Sequence, residues 1–207
     1  LEIVLVDKTN PFGNDNMLPR GVLREPIRNL KRADFVFITK SDGNSDALRA
    51  RIRELNPTAE IIECRHKPRY LQNVYTAEHV PLEWLKGRTV TTLSGIAVPQ
   101  SFENSLRLMG AKVIYCERYA DHHRYHAQEI IDALNKSADL HADALLTTEK
   151  DAVRFPLLEK TPVPVFYLRV DIDLINGAEN FHEAVEHICF RKNRNGRLPK
   201  IPAATKA

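Results

Sequence analysis

Residues 35–42 read Phe-Val-Phe-Ile-Thr-Lys-Ser-Asp, so four large apolar side chains are followed at once by polar ones. Such a short, continuously apolar run is typical of a strand buried on both faces, as in a parallel sheet covered by helices. The sequence also predicts a strand in residues 1–7, a helix in residues 45–55, where apolar residues recur at helical spacing, and another strand from Ile61. This alternation of strand and helix predicts an α/β fold.

The alternation continues through the second half of the chain. We predict strands at 90–93, 113–116, 144–147 and 165–168, and helices at about 100–109, 122–136, 149–158 and 178–188. The expected fold class is α/β, with two α/β/α lobes and mainly parallel sheets. Residues 1–66 form the first lobe, 67–88 a connection without clear periodicity, 89–190 the second lobe, and 191–207 a flexible basic tail.

The charge of the chain is concentrated at its end. The 207 residues carry a net charge of +3, with 43% hydrophobic and 28% charged residues, as in ordinary globular proteins. Residues 191–207 contain six basic and no acidic residues, which leaves about −3 for the other residues. The positive charge therefore indicates a tail and not a basic binding face, and we expect no nucleic-acid partner.

The cysteines and the hydropathy of the sequence indicate the cellular compartment in which the protein lies. Three cysteines, Cys64, Cys116 and Cys189, lie far apart and form no C-x-x-C pair, which favours a reducing, cytosolic setting. No run of 18 apolar residues and no signal peptide is present. The chain opens directly on a strand and its first methionine is Met17, so we expect it to be a fragment of a longer polypeptide.

Two strand ends in the first lobe point to phosphate chemistry. The apolar strand that ends in Asp7 has the form of a Walker B strand, whose carboxylate holds Mg²⁺. Thr39-Lys40-Ser41-Asp42 is similar to the T-K-x-D strand end of P-loop nucleotide-binding proteins, in which the aspartate reads a base. Asp42 has the alternative role of starting the next helix or forming a turn with Gly43. No G-x-x-x-x-G-K-[ST] loop occurs, so the first lobe would be an incomplete P-loop NTPase-like domain.

The stretch 120–125, Ala-Asp-His-His-Arg-Tyr, combines a carboxylate, two imidazoles, a guanidinium and a phenol. A strand precedes it and a helical pattern follows, so we predict that Asp121 is the N-cap of that helix. Helix N-termini favour anions, which makes His122 a candidate for phosphate chemistry. The alternative is a plain N-cap followed by surface histidines.

Two further segments have both structural and functional interpretations. Thr148-x-x-Asp151 has the form of a capping box, so both side chains could simply start a helix, while Lys150 on the same turn could reach a phosphate or stay solvated. At Gly95 we expect a close backbone approach in a strand-to-helix turn.

A metal hydrolase is a rival hypothesis. His122 and His126 are spaced i, i+4 with carboxylates nearby, a spacing that can chelate zinc on a helix. The sequence contains no H-E-x-x-H motif and no obvious third ligand, so we expect no structural metal.

Four segments, in order, resemble the tetraacyldisaccharide 4'-kinase family, the lipid A 4'-kinases. The first runs from Gly13-Asn14 through Met17-Leu18-Pro19-Arg20-Gly21-Val22-Leu23-Arg24-Glu25-Pro26 to Arg32-Ala33-Asp34. The others are Ser94-Gly95-Ile96-Ala97-Val98-Pro99 with Phe102, then Asp121-His122-His123-Arg124-Tyr125, then Thr148-Glu149-Lys150-Asp151-Ala152-Val153-Arg154. One such motif would be weak evidence, but four in the family's order are specific.

The resemblance implies transfer of the ATP γ-phosphate, with Mg²⁺, to the 4'-hydroxyl of a tetraacylated disaccharide 1-phosphate. It implies a lipid substrate and peripheral attachment to the cytoplasmic face of a Gram-negative inner membrane. The family's first histidine of D-H-H-x-Y works with a carboxylate base, a role that His122 would inherit, with Asp121 holding its tautomer. The resemblance places Arg24 in the substrate cleft, and Asn14, Glu25 and Lys150 near substrate or nucleotide.

The sequence departs from the family at Ala97, where the family has Gly, and at Glu103, where it has a second Phe. The family's phosphate loop and base have no counterpart in these residues, so we expect the fragment alone to be inactive. The non-enzyme alternative is an α/β binding module or one half of a split protein. The sequence predicts neither the oligomeric state nor the acyl chains accepted.

Overall fold

The computed structural model describes residues 1–190, which form two compact units. The first contains residues 1–66 and 172–190, and the second contains residues 67–171. The strands are β1 Ile3–Asp7, β2 Phe35–Thr39, β3 Glu60–Asn73, β4 His79–Val80, β5 Thr89–Ser94, β6 Lys112–Arg118, β7 Ala144–Thr148 and β8 Val165–Asn176. The α-helices are α1 Asp46–Leu55, α2 Pro99–Leu108, α3 Ala127–Asp139, α4 Glu149–Ala152 and α5 Glu179–Cys189.

In the first unit, β2 lies between β1 and β3, and both pairings are parallel. Alternate residues of β2 face opposite sides of the sheet, and both sides are covered. Val36 and Ile38 pack in one core cluster with Ile52 of α1. Phe35 and Phe37 pack on the other side, where both rings meet Phe181 of α5 edge to face at centroid distances of 5.3 and 5.0 Å. The continuous apolar run of β2 therefore follows from burial on both faces.

In the second unit, β5 lies between β6 and β7, and β7 pairs with β8, all in parallel. Leu146 of β7 packs with Phe102 and Leu106 of α2 on one face. Its neighbour Leu145 packs with Ile130 and Leu134 of α3 on the other. Each unit thus has a mainly parallel sheet with helices on both faces, although β4 pairs with the end of β3 in the antiparallel direction, and this confirms the predicted α/β class.

The division of the chain differs from the prediction in two places. Residues 67–88, predicted as a connection, belong to the second unit, because Leu71 at the end of β3 and Leu85 are fully buried in its core. Residues 172–190, predicted in the second lobe, belong to the first unit, because Phe181 of α5 covers Phe35 and Phe37. The predicted basic tail, 191–207, lies outside the described residues.

All the predicted strands are present, although β3 and β8 are longer than expected. Helix α4 has only four residues and does not extend to 158 as predicted, and α3 begins at Ala127 and not at 122. Within residues 1–190, no helix combines the length and apolar character needed to cross a bilayer.

Parallel strands place all their carboxyl ends at one edge of a sheet, where side chains that follow them meet. In the first unit this edge carries Asp7 and Thr39. In the second unit, the loops after β5 and β6 and the start of α4 after β7 lie at the corresponding edge. Asp7, Asp121, His122 and Lys150, which the sequence singled out, lie at or beside these edges.

Candidate active site

Gly95, the first residue after β5, lies against the loop after β6 and the start of α4. A Cβ atom here would lie 2.7 Å from the Tyr125 hydroxyl oxygen, 3.2 Å from the Ala120 carbonyl oxygen and 3.3 Å from Oδ1 of Asp151. The Gly95 N–H donates to Oδ2 of Asp151 at 3.1 Å. The predicted close backbone approach is confirmed, and it explains why a glycine is needed at this turn.

The predicted helix start at Thr148 is confirmed, but only the N-cap half of the predicted capping box is seen, because the Asp151 carboxylate accepts from the Thr148 hydroxyl and not from its N–H. The Asp151 N–H donates to Oγ1 of Thr148 at 3.2 Å, and the Thr148 hydroxyl donates to Oδ2 of Asp151 at 2.7 Å. Asp151 is fully buried. Its carboxylate therefore links the N-cap of α4, Thr148, to the turn at Gly95.

The Tyr125 ring is buried beside this carboxylate, in a cluster with Tyr119, His123 and Phe155. Burial, and then the charge of Asp151, raise the pKa of the Tyr125 hydroxyl. The phenol therefore stays neutral, and its role is to pack the loop after β6 against the sheet edge.

Asp121 is not the N-cap that the sequence predicts. His122 has a φ of 65°, a left-handed conformation that excludes it from a right-handed helix. The helix begins after His126, whose N–H donates to the carboxylate of Glu129 at 2.8 Å. The spacing His126-x-x-Glu129 is the signal that identifies the true helix start.

The position of His122 outside α3 also removes the basis for the zinc hypothesis. His122 and His126 do not share a helical face, because residues 122–126 form a loop. The second histidine of the motif, His123, has a structural role: its ring stacks on Tyr119 at 4.4 Å and its Nε2 lies 3.0 Å from Glu129. Within residues 1–190, no group of three His, Cys, Asp or Glu side chains is placed to hold a metal ion.

Asp121, His122 and Lys150 are brought together at the edge of the second unit. The Lys150 ammonium donates to Oδ1 of Asp121 at 2.9 Å, and Nε2 of His122 lies 3.6 Å from Oδ2 of Asp121. The hydrogen bond from Lys150 is the main cause that lowers the pKa of Asp121. All three side chains are partly or largely exposed, so they are open to a ligand.

Arg154 completes this group, and sequence reasoning did not single it out. Its Nη2 lies 3.3 Å from Nδ1 of His122, and its Nη1 lies 3.9 Å from Oδ1 of Asp151. The available signal was its position three residues after Asp151, one helical turn away. We call Asp121, His122, Lys150 and Arg154 the histidine cluster.

A second set of polar side chains lies at the edge of the first unit. Oδ2 of Asp7 accepts from the Lys40 ammonium at 2.6 Å, and Oδ1 accepts from the Thr9 hydroxyl at 2.6 Å. Burial raises the pKa of Asp7, but the hydrogen bonds from Lys40 and Thr9 outweigh it, so the net shift is downward. Carboxylate and hydroxyl oxygens are ligands that Mg²⁺ prefers, so the donor set fits that ion once Lys40 leaves Oδ2.

Asp42 has the turn geometry that the sequence left as an alternative to base recognition. Its Oδ1 accepts from the Asn44 N–H at 3.0 Å and pairs with the Lys8 ammonium. The Lys8 hydrogen bond is the main cause that lowers the pKa of Asp42. The carboxylate therefore stabilises the loop between β2 and α1.

Arg24 and Glu25 line a pocket of about 510 Å³ in the first unit, together with Asp7. Glu25 pairs with Arg32 at 2.8 Å and accepts from Asn29 at 3.0 Å. Arg24 is exposed and, within the described part of the chain, forms no ion pair with Glu25 or any other residue, so its guanidinium is available to an anion. Asn14 lies in the 3₁₀ helix Pro11–Asp15, which precedes the Arg24 segment.

Glu103, where the sequence departs from the family, is buried and forms a bidentate pair with Arg118, with both N–O distances 2.8 Å. These hydrogen bonds are the main cause that lowers the pKa of Glu103. Arg118 ends β6, so the pair anchors the start of the loop that carries Asp121 and His122.

Known proteins match this chain over nearly all of the described residues. A sequence profile of the family described as LpxK, tetraacyldisaccharide-1-P 4'-kinase, matches residues 1–189. A tetraacyldisaccharide 4'-kinase of Anaeromyxobacter dehalogenans strain 2CP-C is 36% identical over 210 residues, which cover 99% of this chain and 55% of that protein. One from Elusimicrobium minutum is 36% identical over 158 residues, covering 74% of this chain and 41% of that protein.

A solved structure agrees with these sequence matches. The crystal structure of the "apo" form of LpxK from Aquifex aeolicus in complex with ATP has a TM-score of 0.60 and 25% identity. The match covers 91% of this chain and 52% of that one. The chain therefore spans about half the length of the relatives it matches. Because the profile covers residues 1–189 and curated relatives match at 36% identity, the chain belongs to the tetraacyldisaccharide 4'-kinase (LpxK) family.

Proposed function

We propose that these residues are part of an enzyme that transfers the γ-phosphoryl group of ATP to the 4'-hydroxyl of a tetraacyldisaccharide 1-phosphate. The observation that carries the proposal is the histidine cluster, in which an exposed imidazole lies between the carboxylate of Asp121 and the guanidinium of Arg154. Family membership supports the substrate class, and the ATP complex of the Aquifex aeolicus relative supports the phosphoryl donor.

The cluster suits phosphoryl transfer because that reaction depends on positioning and on neutralising negative charge. Lys150 and Arg154 supply two cations, and the side chain of Lys150, which is 43% exposed, is open to a phosphate oxygen that would replace Asp121 as its partner. Asp121 and Arg154 hold His122 from opposite sides, which orients the imidazole toward a reacting hydroxyl or toward the base that accepts its proton.

The residues of the first unit are proposed to hold the anionic parts of the ligands. Arg24 would bind a phosphate group at the pocket, since a planar guanidinium without a protein partner binds phosphate oxygens in pairs. Glu25 pairs with Arg32, which leaves the charge of Arg24 free for a phosphate. Asn14 is assigned to the same surroundings from the family motif alone.

ATP brings its γ-phosphoryl group, and Mg²⁺ would neutralise charge on the phosphate oxygens. In this chain Asp7 and Thr9 would hold Mg²⁺, and Lys40 would neutralise Asp7 when the ion is absent. We propose that the first unit corresponds to part of a P-loop-like kinase lobe, supported by parallel β1 and β2 with Asp7 and Thr39 at their ends. The lipid substrate leads us to propose peripheral contact with the cytoplasmic face of the inner membrane.

The experiment is a transfer assay on the complete protein from its source cells. The protein is incubated with γ-labelled ATP, Mg²⁺ and tetraacyldisaccharide 1-phosphate, and the position of the label is determined by mass spectrometry. We expect label on the 4'-oxygen. A complete protein that binds the disaccharide but transfers no label would instead support the binding-module alternative.

A further inference from the structure

The contact between Arg154 and His122 determines where the imidazole carries its proton. Nη2 of Arg154 lies 3.3 Å from Nδ1 of His122. A guanidinium has only donor hydrogens and does not lose its charge in proteins. Nδ1 must therefore be the acceptor in this contact, so it carries no hydrogen.

The other ring nitrogen, Nε2, lies near a group that accepts hydrogen bonds. Nε2 of His122 lies 3.6 Å from Oδ2 of Asp121, an ionised carboxylate that can only accept. The hydrogen of the neutral imidazole therefore belongs on Nε2, the ring nitrogen nearer to Asp121. The remaining charged group on this face, Lys150, is paired with the other oxygen of Asp121.

Arg154 is itself held in place from the interior. Its Nη1 lies 3.9 Å from Oδ1 of Asp151, whose side chain is fully buried and fixed by the Gly95 N–H and the Thr148 hydroxyl. The side chain of Arg154 is only 27% exposed. The guanidinium is thus largely buried, beside a carboxylate that is itself held by hydrogen bonds.

We propose that Arg154 is a positioning residue that holds His122 in its Nε2–H tautomer and leaves Nδ1 as an acceptor. The mechanistic consequence rests on the proposed kinase function: in that reaction, Arg154 would set which ring nitrogen of His122 can donate a hydrogen bond.

The test is the tautomer itself, measured by long-range ¹H–¹⁵N correlation of the imidazole nitrogens in the ¹⁵N-histidine-labelled chain. The spectrum is recorded at about pH 8, above the ordinary imidazole pKa of about 6.5. The signals of His122 are identified by their loss in His122→Gln. We expect Nδ1 to show the shift of an unprotonated ring nitrogen and Nε2 that of a protonated one. The reverse assignment in the wild-type chain would overturn the proposal.

Three variants separate positioning from a general structural effect. Arg154→Met should shift the two His122 nitrogens toward a mixture of tautomers, whereas Arg154→Lys, which keeps a donor and a charge, should retain the wild-type pattern. Arg124→Met removes an exposed guanidinium from the same loop and should change neither nitrogen. If both folded Arg154 variants kept the wild-type shifts, Arg154 would not set the tautomer. If Arg154→Met does not fold, Arg154→Gln, which removes the charge, takes its place: a shift toward mixed tautomers supports the proposal, and unchanged wild-type shifts contradict it.

The tautomer measurement uses neither ATP nor the lipid acceptor, so its result does not depend on the outcome of the kinase assay. The predicted tautomer in a complete protein without 4'-kinase activity would contradict the proposed function alone. Normal 4'-kinase activity with the Nδ1–H tautomer would contradict this inference alone.

Discussion

The ammonium nitrogen of Lys150 lies 2.9 Å from Oδ1 of Asp121, although 29 residues separate the two in sequence. This contact joins the loop after β6 to the first turn of α4 and lowers the pKa of Asp121. It keeps the carboxylate ionised beside His122, and it places a cation where phosphate oxygens would arrive in the proposed reaction.

Replacing Lys150 should therefore impair the chemical step. We expect Lys150→Met in the complete protein to lower kcat by about 10²- to 10³-fold, the usual range for removing one group that stabilises charge in a transition state. Lys160→Met, which removes an exposed lysine that has no ion pair in the described structure, is the matched control. Equal kcat values for the two variants would exclude Lys150 from the reaction.

Arg24 should affect substrate binding more than the chemical step, because it lines a pocket and forms no ion pair in the described structure. We expect Arg24→Met to raise KM for the anionic substrate that occupies the pocket by about tenfold, which corresponds to about 1.4 kcal/mol. Arg28→Met, an exposed arginine on the following turn, should leave KM unchanged. A fall in kcat without a change in KM would contradict this assignment.

Gly95→Ala should destabilise the second unit. The new Cβ would lie 2.7 Å from the Tyr125 hydroxyl oxygen, and overpacking of this kind costs about 1–3 kcal/mol. For a chain of this size we expect a fall in Tm of roughly 2–4 °C for each kcal/mol. Tyr125→Phe removes the oxygen that clashes, so the double variant should recover part of the loss. A double variant as unstable as the sum of the two single variants would rule out this clash as the cause.

The Glu103–Arg118 pair should make stability sensitive to acid. The pKa of Glu103 is lower in the folded than in the unfolded chain, so the pair stabilises fully above the ordinary Glu pKa of about 4.3. Its contribution is lost as the pH falls through the folded-state pKa. Glu103→Gln should lose about 1–2 kcal/mol of unfolding free energy at pH 7, because Arg118 is partly exposed.

Denaturant unfolding at several pH values checks this prediction. The difference in unfolding free energy between the wild-type chain and Glu103→Gln should narrow below about pH 4.3. Glu78→Gln removes an exposed carboxylate without a side-chain partner in the described structure and serves as the control. A difference that stays constant across the acid range would mean that Glu103 does not titrate as proposed.

The strands were the most predictable part of the fold. A run such as Phe35–Ile38 is buried on both faces, and that requirement leaves a local pattern that can be recognised without a structure. The N-cap at Thr148 and the close approach at Gly95 were also predictable, since the first depends on residues near in sequence and the second on the special geometry of glycine.

The predictions were wrong where contacts between residues distant in sequence determine the local structure. The loop at His122 takes a left-handed conformation that apolar periodicity does not reveal, so α3 was predicted to begin too early. The segment around Leu71 has no clear pattern of its own and becomes a strand because it packs in the core of the second unit. Arg154 was missed because its role depends on His122, which is 32 residues away.

The most direct test of the central claim is single-turnover transfer of phosphate from ATP to tetraacyldisaccharide 1-phosphate by the complete protein, with His122 intact or replaced by Ala. We expect the variant to fold normally, because the His122 side chain is 69% exposed, and to transfer phosphate about 10- to 10⁴-fold more slowly. Arg124→Ala, two residues away, should react at the wild-type rate. A folded His122→Ala variant that transfers phosphate at the wild-type rate would remove His122, and with it the histidine cluster, from the mechanism.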